Sequence, residues 1–394
     1  MSKLQNLINE LCPNGVEYIK IKDYFKRLKG TPITAGKMKE IENHNGEVKV
    51  FAGGKTVINA YEKDIPNANI IKVPAVLVQS RGIIDVIYYE KPFTFKNEMW
   101  AYTFENKITV KFLYYILKNN VQKFRDVASG MGSMPQISLS VTEDFKIPLP
   151  PLPVQKEIVR ILDNFTELTT ELTTELTARK KQYEYYRDKL LTFGEDIPRV
   201  LLGDIANISR GGSLQKKDFI NEGFPCIHYG QIYTKYRIFA EKTFTFISDE
   251  VAVKQKKAKK NDIVMAVTSE NIEDICKCVV WLGDNEIAVG GHTAIINHNQ
   301  NPKYLAYYFQ TSMFFKQKIK LIQGTKVMEV SPNKLNNILI PLPPLAEQQR
   351  IVSILDRFDA LCNDITSGLP AEIELRKKQY EYYRDKLLDF KELQ

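Results

Sequence analysis

The chain has 394 residues and a modest basic excess, with 55 lysines and arginines against 47 aspartates and glutamates and a formal net charge of +8. Its 44% hydrophobic and 26% charged residues are typical of a globular protein of two or three domains and exclude a disordered chain. No apolar run reaches the roughly 18 residues of a membrane span, the N-terminus has no apolar signal core, and the five cysteines lack framework spacing, so we expect a cytoplasmic location.

The first block of the chain, residues 1–146, is predicted to be a β-rich domain that ends in a helix. Segments rich in Val, Ile, Tyr and Phe, bounded by Gly, Asn and Pro, predict strands over 48–52, 73–79, 84–89 and 99–104. The apolar periodicity that follows predicts a helix over 110–127.

The second block, residues 147–193, is predicted to be one long helix. Apolar residues at 154, 158, 161, 165 and 168 alternate spacings of four and three, as the seam of a coiled coil requires. Prolines stand just before this run, where they block extension of the helix backwards. The periodicity predicts about 40 helical residues, and it includes the four-residue repeat ELTTELTTELTA at 167–178.

The third block, residues 194–339, is again predicted to be β-rich with a final helix. The predicted strands cover 200–208, 227–232, 263–267, 277–282 and 287–295, and the predicted helix covers 302–322. Five lysines lie between positions 254 and 260. They fit either an edge that faces phosphates or a solvated basic face.

The fourth block, residues 340–394, repeats the second. IPLPPLAEQQRIVSILDRFDAL at 340–361 matches IPLPPLPVQKEIVRILDNFTEL at 147–168, and RKKQYEYYRDKLL occurs identically at 179–191 and 376–388. A weaker echo pairs Lys111 with Lys303 at the start of the two domain helices. In the second copy Gly368-Leu369-Pro370 interrupts the pattern, so we expect a new helix to begin at Pro370.

The repeat indicates two diverged copies of one unit of about 190 residues. A helix this long needs a partner for its seam, and its own repeat, packed antiparallel, is the economical one. An ordinary helical hairpin would explain the seam alone. Packing does not require thirteen identical and largely polar residues, which suggests that a second protein contacts both copies. The candidate docking residues are Pro150, Pro151, Gln155, Tyr183, Arg187, Pro343, Pro344, Gln348, Tyr380 and Arg384.

The predicted loops of the two β-rich blocks carry the residue types that contact DNA. Arg, Lys, Gln, Asn, Glu, Ser and Thr side chains read base edges or hold phosphates, and glycines allow close approach of the backbone. The first block offers Lys55, Gln79, Ser80, Arg81, Asn97 and Ser133. The third block offers His228, Tyr229, Gln231, Lys235, Tyr236, Thr268, Ser269, Glu270, His292, Thr293, Thr325 and Lys326.

The sequence does not support a catalytic or metal site. Cys276 and Cys278 with His292 and His298 suggest zinc, but no second cysteine pair follows. There is no P-loop motif, no Asn- or Asp-Pro-Pro-aromatic motif of an amino-methyltransferase, and no good match to a nuclease's carboxylates and lysine. We therefore predict no catalytic residues, no metal and no cofactor on this chain.

These segments resemble a known family. The two IPLPPL-x-x-Q segments (147–155 and 340–348), each followed by RKKQYEYYRDKLL, look like those of the DNA-specificity subunit of type I restriction-modification systems. The resemblance covers essentially the whole chain. HYGQIYTKY (228–236), VTSENIEDI (267–275) and GGHTAII (290–296) also resemble one common type of target-recognition domain.

The resemblance implies an α+β protein whose two β-rich target-recognition domains form a pseudo-two-fold repeat, separated by two long helices packed as an antiparallel coiled coil. Each domain would read one half of a bipartite, asymmetric site in double-stranded DNA. Two methyltransferase subunits would supply adenine methylation with S-adenosylmethionine, and restriction subunits would supply ATP- and Mg²⁺-dependent cleavage and translocation. The chain itself would supply recognition and assembly only.

Three other interpretations remain open from the sequence. The chain could be the specificity subunit of a related system in which methylase and nuclease are one polypeptide. It could also be a self-contained DNA-modifying enzyme, which a methyltransfer assay on the isolated chain would reveal. A purely structural coiled-coil adaptor would leave the loop chemistry of two large β-rich domains unexplained.

Overall fold

The computed structural model describes residues 2–130, 134–364 and 366–393. The chain divides into two compact units: unit 1 is Met1–Glu171 together with Ile373–Gln394, and unit 2 is Leu172–Glu372. Each unit thus combines one variable, β-rich block (1–146 or 194–339) with helical segments from both copies of the shared, repeated block (147–193 and 340–394). The predicted division into segments 1–146, 147–193, 194–339 and 340–394 follows chain order, whereas the compact units cut across both helical segments.

The variable part of unit 1 holds nine short strands and six helices among its described residues. In chain order these are α1 (Ser2–Leu11), β1 (Tyr18–Lys20), α2 (Ile21–Tyr24), β2 (Lys26–Leu28), α3 (Ala35–Ile41), β3 (Val48–Phe51), β4 (Val57–Ala60), β5 (Ala75–Gln79), β6 (Asp85–Tyr89), β7 (Phe93–Phe95), β8 (Met99–Thr103), α4 (Lys107–Asn119), α5 (Val121–Asp126), α6 (Leu139–Glu143) and β9 (Lys146–Pro148). A single 3-10 turn covers Glu62–Asp64.

Two sheets form the body of unit 1. An antiparallel sheet of order β2-β8-β5-β6 has its central strand β5 buried at every position. A second sheet has the order β4-β3-β7, and the short pair β1-β9 brings the two ends of the variable block together. Helix α4 covers the first sheet, and its apolar face, including Phe112, Leu113 and Ile116, lies in the same core as Val76 and Val78 of β5.

The predicted long helix is confirmed. Helix α7 (Leu152–Leu190) has 39 residues and begins in unit 1 and ends in unit 2. Its four-residue insert remains helical although threonine is a weak helix former. The hydroxyls of Thr169 and Thr170 donate to the carbonyls of Phe165 and Thr166 at 2.8 Å, four residues earlier.

Unit 2 repeats this plan with more strands. In chain order it contains β10 (Arg199–Leu201), α8 (Leu202–Ile205), β11 (Ala206–Arg210), β12 (Phe224–Ile227), α9 (Tyr229–Thr234), β13 (Phe239–Ala240), β14 (Thr245–Ile247), α10 (Asp249–Val253), β15 (Lys257–Ala258), β16 (Ile263–Ala266), β17 (Thr268–Ser269), β18 (Cys278–Trp281), β19 (Ile287–Val289), β20 (Thr293–His298), α11 (Pro302–Tyr308), α12 (Ser312–Lys318), β21 (Met328–Glu329), α13 (Pro332–Leu335), β22 (Leu339–Pro341) and α14 (Leu345–Asn363). Its sheets have the orders β11-β20-β16-β18-β13, β14-β12-β19-β15, β17-β21 and β10-β22. The last helix of the chain, α15 (Leu369–Leu387), begins at the end of unit 2 and lies mostly in unit 1.

The same salt-bridged triad fixes the domain helix to the shared helix in both units. In unit 1, Asp163 of α7 accepts from Lys111 at 2.8 Å and from the Tyr115 hydroxyl at 2.5 Å. In unit 2, Asp356 of α14 accepts from Lys303 at 2.8 Å and from the Tyr307 hydroxyl at 2.6 Å. The weak sequence echo between Lys111 and Lys303 therefore reports a real structural repeat.

The helix pairs also repeat. In unit 1 Phe165 of α7 stacks on Tyr383 of α15 with ring centroids 5.6 Å apart. In unit 2 Phe358 of α14 stacks in the same way on Tyr186 of α7, at 5.9 Å. The unit 2 pair is antiparallel, because Cys362, one turn beyond Phe358, lies near Arg179, two turns before Tyr186. The predicted α+β class with repeated recognition units and paired helices is confirmed.

Several predicted elements differ from the structure, and over 227–232 local hydrogen bonds override strand propensity. The predicted strand over 227–232 is wrong: the chain leaves β12 and forms α9, since the Gly230 amide donates to His228 Nδ1 at 3.2 Å and the His228 amide donates to Gln231 Oε1 at 3.1 Å. The predicted strand over 200–208 is interrupted by α8.

The predicted strand over 287–295 breaks between β19 and β20 at Gly290-Gly291. The predicted helix over 302–322 breaks where Thr311 caps α12. The predicted helix over 110–127 likewise divides at Asn120 into α4 and α5. Within the described residues, no helix combines the length and apolar character needed to cross a membrane.

Candidate nucleic-acid interface

The interface in unit 2 is built on two Gly-Gly turns, 211–212 and 290–291, whose backbones are in direct contact. This contact is the glycine crossing. The Gly212 amide donates to the Val289 carbonyl at 2.7 Å and the Gly211 amide to the Thr293 carbonyl at 3.0 Å. A Cβ on Gly211 would overlap the Gly290 carbonyl oxygen. Only glycine permits this backbone approach, and the crossing fixes the loop that carries His292.

A cluster of aromatic and imidazole rings lies beside this crossing. Tyr229, at the start of α9, has its ring centroid 4.5 Å from that of His228 and 4.9 Å from that of His292. Phe219 packs edge-on against His228 at 5.7 Å and Tyr233 against Tyr229 at 6.2 Å. Tyr229 is half-buried and His292 is exposed, so the cluster presents an aromatic face next to an imidazole at the surface.

His228 itself is a buried support of this cluster. Burial, and then the nearby charges of Lys216 and His292, lower the pKa of His228 below its ordinary 6.5. The Gly230 amide donates to its Nδ1, so that nitrogen carries no proton in the folded chain. His228 therefore caps α9 as a neutral ring.

Strand β17 connects the cluster to a hairpin near the end of unit 2. Thr268 Oγ1 lies 3.1 Å from His292 Nδ1, and the Thr268 carbonyl accepts from the Tyr233 hydroxyl at 2.7 Å. β17 pairs with β21, in which Thr268 faces Glu329. The hairpin that ends in β21 carries the exposed Thr325 and Lys326. Sequence-distant loops at 228–229, 268–270, 291–293 and 324–327 are thus brought together.

Arg210 is part of this arrangement and was missed by the sequence analysis. Its guanidinium pairs with Glu329 and also donates to the Gly291 carbonyl at 3.4 Å. It therefore ties the hairpin to the glycine crossing. The signal that could have found it is the Arg-Gly-Gly at 210–212, which repeats the chemistry of Gly290-Gly291 at the facing turn.

Unit 1 assembles an equivalent set of loops at the end of β5. Gln79 Nε2 donates to the Gly54 carbonyl at 2.7 Å, and the Ser80 hydroxyl donates to the Glu98 carbonyl. Arg81 forms a β-bridge with Gln136. The loops at 53–55, 79–82, 96–98 and 134–137 therefore meet in one place, at the same end of the central strand as in unit 2.

The predicted DNA-contacting residues fall into distinct groups by exposure. Those with exposed side chains are Lys55, Arg81, Asn97, Lys235, Glu270, His292, Thr325 and Lys326. Tyr229 and Tyr236 are half-buried. Those that are buried are Gln79, Ser80, His228, Gln231, Thr268, Ser269 and Thr293. Ser133 lies outside the described residues.

The buried group hydrogen-bonds to the loops themselves. Thr293 is fully buried and its hydroxyl donates to the Gly290 carbonyl at 2.6 Å. Ser269 Oγ accepts from the Asn271 amide at 3.0 Å. Such side chains fix loop shape in this conformation and have no surface to offer a base edge.

Two other groups of predicted contacts do not take part in the ring cluster. Lys235 and Tyr236, at the other end of α9, pack against Phe244 at 5.4 and 5.0 Å. In the lysine run between 254 and 260, Lys259 pairs with Glu286 and Lys260 with Asp284. These acids offset part of the positive charge that a phosphate-facing edge would need.

The candidate docking residues also divide by burial. Gln155 and Gln348 are buried, and their amides donate to the carbonyls of Pro150 and Pro343 at 2.8 and 2.9 Å. Each glutamine thereby closes the turn that precedes its helix. Pro150 and Pro343 are buried, whereas Pro151 and Pro344 are exposed.

In the identical thirteen-residue segments, Arg187 lies over the Tyr183 ring at 5.8 Å and Arg384 over the Tyr380 ring at 5.6 Å. Tyr183 is buried and Tyr380 half-buried. The most exposed tyrosines of the two segments are instead Tyr185 and Tyr382, with 61% and 62% of their surface accessible.

The two cysteines considered and rejected as zinc ligands in the sequence are buried thiols in the structure. Cys276 and Cys278 are buried, and burial raises the pKa of each thiol to about 12. In the part of the chain that the structure describes, no three His, Cys, Asp or Glu side chains are grouped as a metal site.

Comparison with known proteins agrees on one family. A family model described as type I restriction modification DNA specificity domain matches residues 13–180 and again 195–375. The chain is 32% identical over 358 residues to a type I restriction enzyme specificity subunit of Escherichia coli, with 87% of each protein covered.

Solved structures show the same fold. The crystal structure of a type I restriction-modification S subunit from M. genitalium aligns with a TM-score of 0.55 at 17% identity and covers 95% of both chains. A structure from work on assembly of the type I system aligns with a TM-score of 0.58 at 16% identity, covering 95% of this chain and 98% of that chain.

The family match occurs twice along the chain, once in each variable block and the helical segment that follows it. The relatives are named as specificity subunits, which confirms the prediction of a non-catalytic recognition subunit over that of a self-contained enzyme. The chain belongs to the family of DNA-specificity subunits of type I restriction-modification systems.

Proposed function

We propose that each unit reads one half of a bipartite, asymmetric site in double-stranded DNA. The observation that carries this proposal is the repeated placement of the loops: in both units the exposed polar candidates, Lys235 excepted, gather at the end of the central strand, β5 or β16–β17, beside a hairpin. A duplicated scaffold that presents two different loop sets is suited to reading two different sequences.

The exposed residues give the two units different chemistry. Unit 1 presents Lys55, Arg81 and Asn97, whereas unit 2 presents Glu270, His292 and Lys326. Arginine and lysine donate to guanine O6 and N7, asparagine pairs with adenine, and glutamate accepts from cytosine N4. The half-sites would therefore differ in sequence, and the whole site would be asymmetric.

The repeated helical segments would bind two copies of one methyltransferase subunit, and restriction subunits would join that complex. Exposed side chains of RKKQYEYYRDKLL are identical in the two units, including Lys181 and Lys378, Tyr185 and Tyr382. S-adenosylmethionine would be bound by the methyltransferase subunits, and ATP with Mg²⁺ by the restriction subunits. The chain's own residues would only position the DNA and these partners.

The decisive experiment is methylome sequencing of a host that carries the complete system with Arg81→Ala or Lys326→Ala. Arg81→Ala should relax or abolish only one half of the methylated motif and Lys326→Ala only the other. Each should weaken DNA binding by about 1–3 kcal/mol if the residue reads a base, or lower the salt slope by about one if it holds a phosphate. Lys242→Ala, which removes an exposed lysine outside these loops, serves as the control.

Loss of the same half-site in both variants would contradict the proposal that each unit reads a different half-site. An unchanged motif and unchanged DNA affinity in both variants would show that these loops do not contact DNA. Methyl transfer by the isolated chain would favour the self-contained enzyme instead.

A further inference from the structure

The two recognition units share a hairpin of the same construction. In unit 1 it is closed by a β-bridge between Ser129 and Gln136, and in unit 2 by a β-bridge between Gln323 and Glu329. A glycine with left-handed backbone follows the first bridged residue in each case: Gly130 has φ of 83° and Gly324 has φ of 86°. The turn geometry of both hairpins therefore depends on glycine at the same place.

Both hairpins are joined to the end of the central strand. In unit 1 the Gly82 amide donates to the Pro135 carbonyl at 2.9 Å and the Ile137 amide to the Ser80 carbonyl at 3.0 Å. In unit 2 the β17-β21 pair makes the same connection. The described residues at the base of each hairpin are thus held at the loops that carry the exposed candidate DNA contacts.

Among the described residues of each hairpin, one exposed apolar side chain lies next to a cation. Met134 and Val327, both two residues before the residue that closes the bridge, are each 52% accessible. Arg81 Nε donates to Met134 Sδ at 3.1 Å, and Lys326 directly precedes Val327. A single exposed apolar residue needs no explanation. The same feature on a braced hairpin in two units whose loop sequences have diverged indicates a shared task.

We propose that Val327 and Met134 contact the C5 methyl group of a thymine in the major groove, each in the half-site that its unit reads. Apolar contact with this methyl is the means by which proteins distinguish thymine in that groove. Val327 is β-branched, short and stiff, so it suits packing against a methyl group better than insertion between stacked bases. The neighbouring Lys326 or Arg81 would hold the adjacent base edge or phosphate. This inference rests on the proposed function of the loops.

The test combines a change in the DNA with a change in the protein. Once the methylated motif is known, binding of the assembled complex is measured to duplexes in which each thymine of the unit 2 half-site is replaced, one at a time, by deoxyuridine, which lacks only the methyl. For the unmodified chain we expect one replacement to weaken binding about fourfold, the value of one buried methyl-sized group. With Val327→Ala that penalty should disappear, and with Val327→Ile it should remain.

Met134→Ala supplies the matched control, since it should leave the unit 2 penalty in place and remove the corresponding one in the other half-site. An equal deoxyuridine penalty with valine and alanine at 327, or no penalty at any thymine, would overturn the inference. Those results would leave the proposed function intact provided that Lys326→Ala still alters its half-site. If Lys326→Ala and Arg81→Ala alter neither half-site, both this inference and the proposed function fail.

Discussion

At the scale of single residues, the candidate interface depends on buried polar side chains and on glycines at close backbone contacts. Thr268 and Thr293 are buried, and their hydrogen bonds hold the loops on which His292 and Glu270 are exposed. A buried polar group that loses its partner costs about 1–3 kcal/mol. Substitutions in this supporting layer should therefore alter recognition through loop shape.

The glycine crossing can be tested by substituting Gly211. Alanine there would place a Cβ against the Gly290 carbonyl oxygen, so we expect Gly211→Ala to lower the free energy of unfolding by about 1–3 kcal/mol and to impair recognition only in the unit 2 half-site. Gly36→Ala is the matched control, because a Cβ at Gly36 in α3 meets nothing within 4 Å. Urea unfolding and methylome sequencing would measure both effects. Equal behaviour of the two variants would refute the close crossing.

His228 should make unit 2 sensitive to acid. Its pKa lies below 6.5 in the folded chain, mainly because of burial. The unfolded chain, with a pKa near 6.5, therefore binds more protons, and stability present above pH 6.5 is lost as the pH falls through 6.5 towards the folded pKa. Asparagine can cap α9 without titrating, so His228→Asn should show a smaller loss of unfolding free energy between pH 7.5 and 5.5.

Urea unfolding at the two pH values measures this difference. Burial also lowers the pKa of the half-buried His298, but His298 is present in both proteins, so its contribution cancels in the comparison. The same loss of stability in the variant as in the unmodified chain would show that His228 does not titrate in this range.

At the scale of elements, the helices were easier to predict than the strands. The 3-and-4 spacing from Val154 predicted α7 almost to its length, because a long amphipathic period is repeated many times along the helix. Short segments carried no such redundancy. His228 to Ile232 has strand-like composition, yet the capping box of His228 and Gln231 makes it helical.

The candidate site was predictable as loops but not as side chains. The Gly-rich sequences at 53–55, 290–293 and 324–326 predicted loops. The structure brings the predicted loops of each unit together within that unit. Whether a polar loop residue points outward or holds its neighbour is decided by tertiary hydrogen bonds. Thr325 is exposed and Thr293 buried, and nothing in composition separates them. Arg210 was missed because its partner, Glu329, is 119 residues away.

The helical insert in α7 gives a prediction at this scale. Deleting Glu167–Thr170 removes one four-residue unit, about 6 Å of helix, from the helix that begins in unit 1 and ends in unit 2. We expect the spacer of the methylated motif to shorten by about two base pairs, at roughly 3.4 Å each, while both half-sites keep their sequences. Long-read methylome sequencing would measure this, and an unchanged spacer would contradict it.

At the scale of the whole molecule, the arrangement is that of a duplicated unit in which each copy completes the other. Unit 1 requires α15 from the second repeat, and unit 2 requires the last part of α7 from the first. The shared segments must therefore preserve the same packing twice, which explains why the buried Leu191 and Leu388 are identical. It does not explain why the exposed positions are identical as well.

Those exposed positions supply the last prediction. If one partner contacts both copies, Tyr185→Ala and Tyr382→Ala should each weaken binding of one methyltransferase subunit by about 2 kcal/mol, roughly 30-fold, as expected for an aromatic residue central to an interface. The double variant should lose both subunits. Leu375→Ala is the matched control: Leu375 lies on α15, is 57% accessible, and its counterpart in the first copy is already Ala178. Native mass spectrometry would count the bound subunits. If the double variant still bound both methyltransferase subunits, a shared partner would not explain why the exposed residues of the two segments are identical.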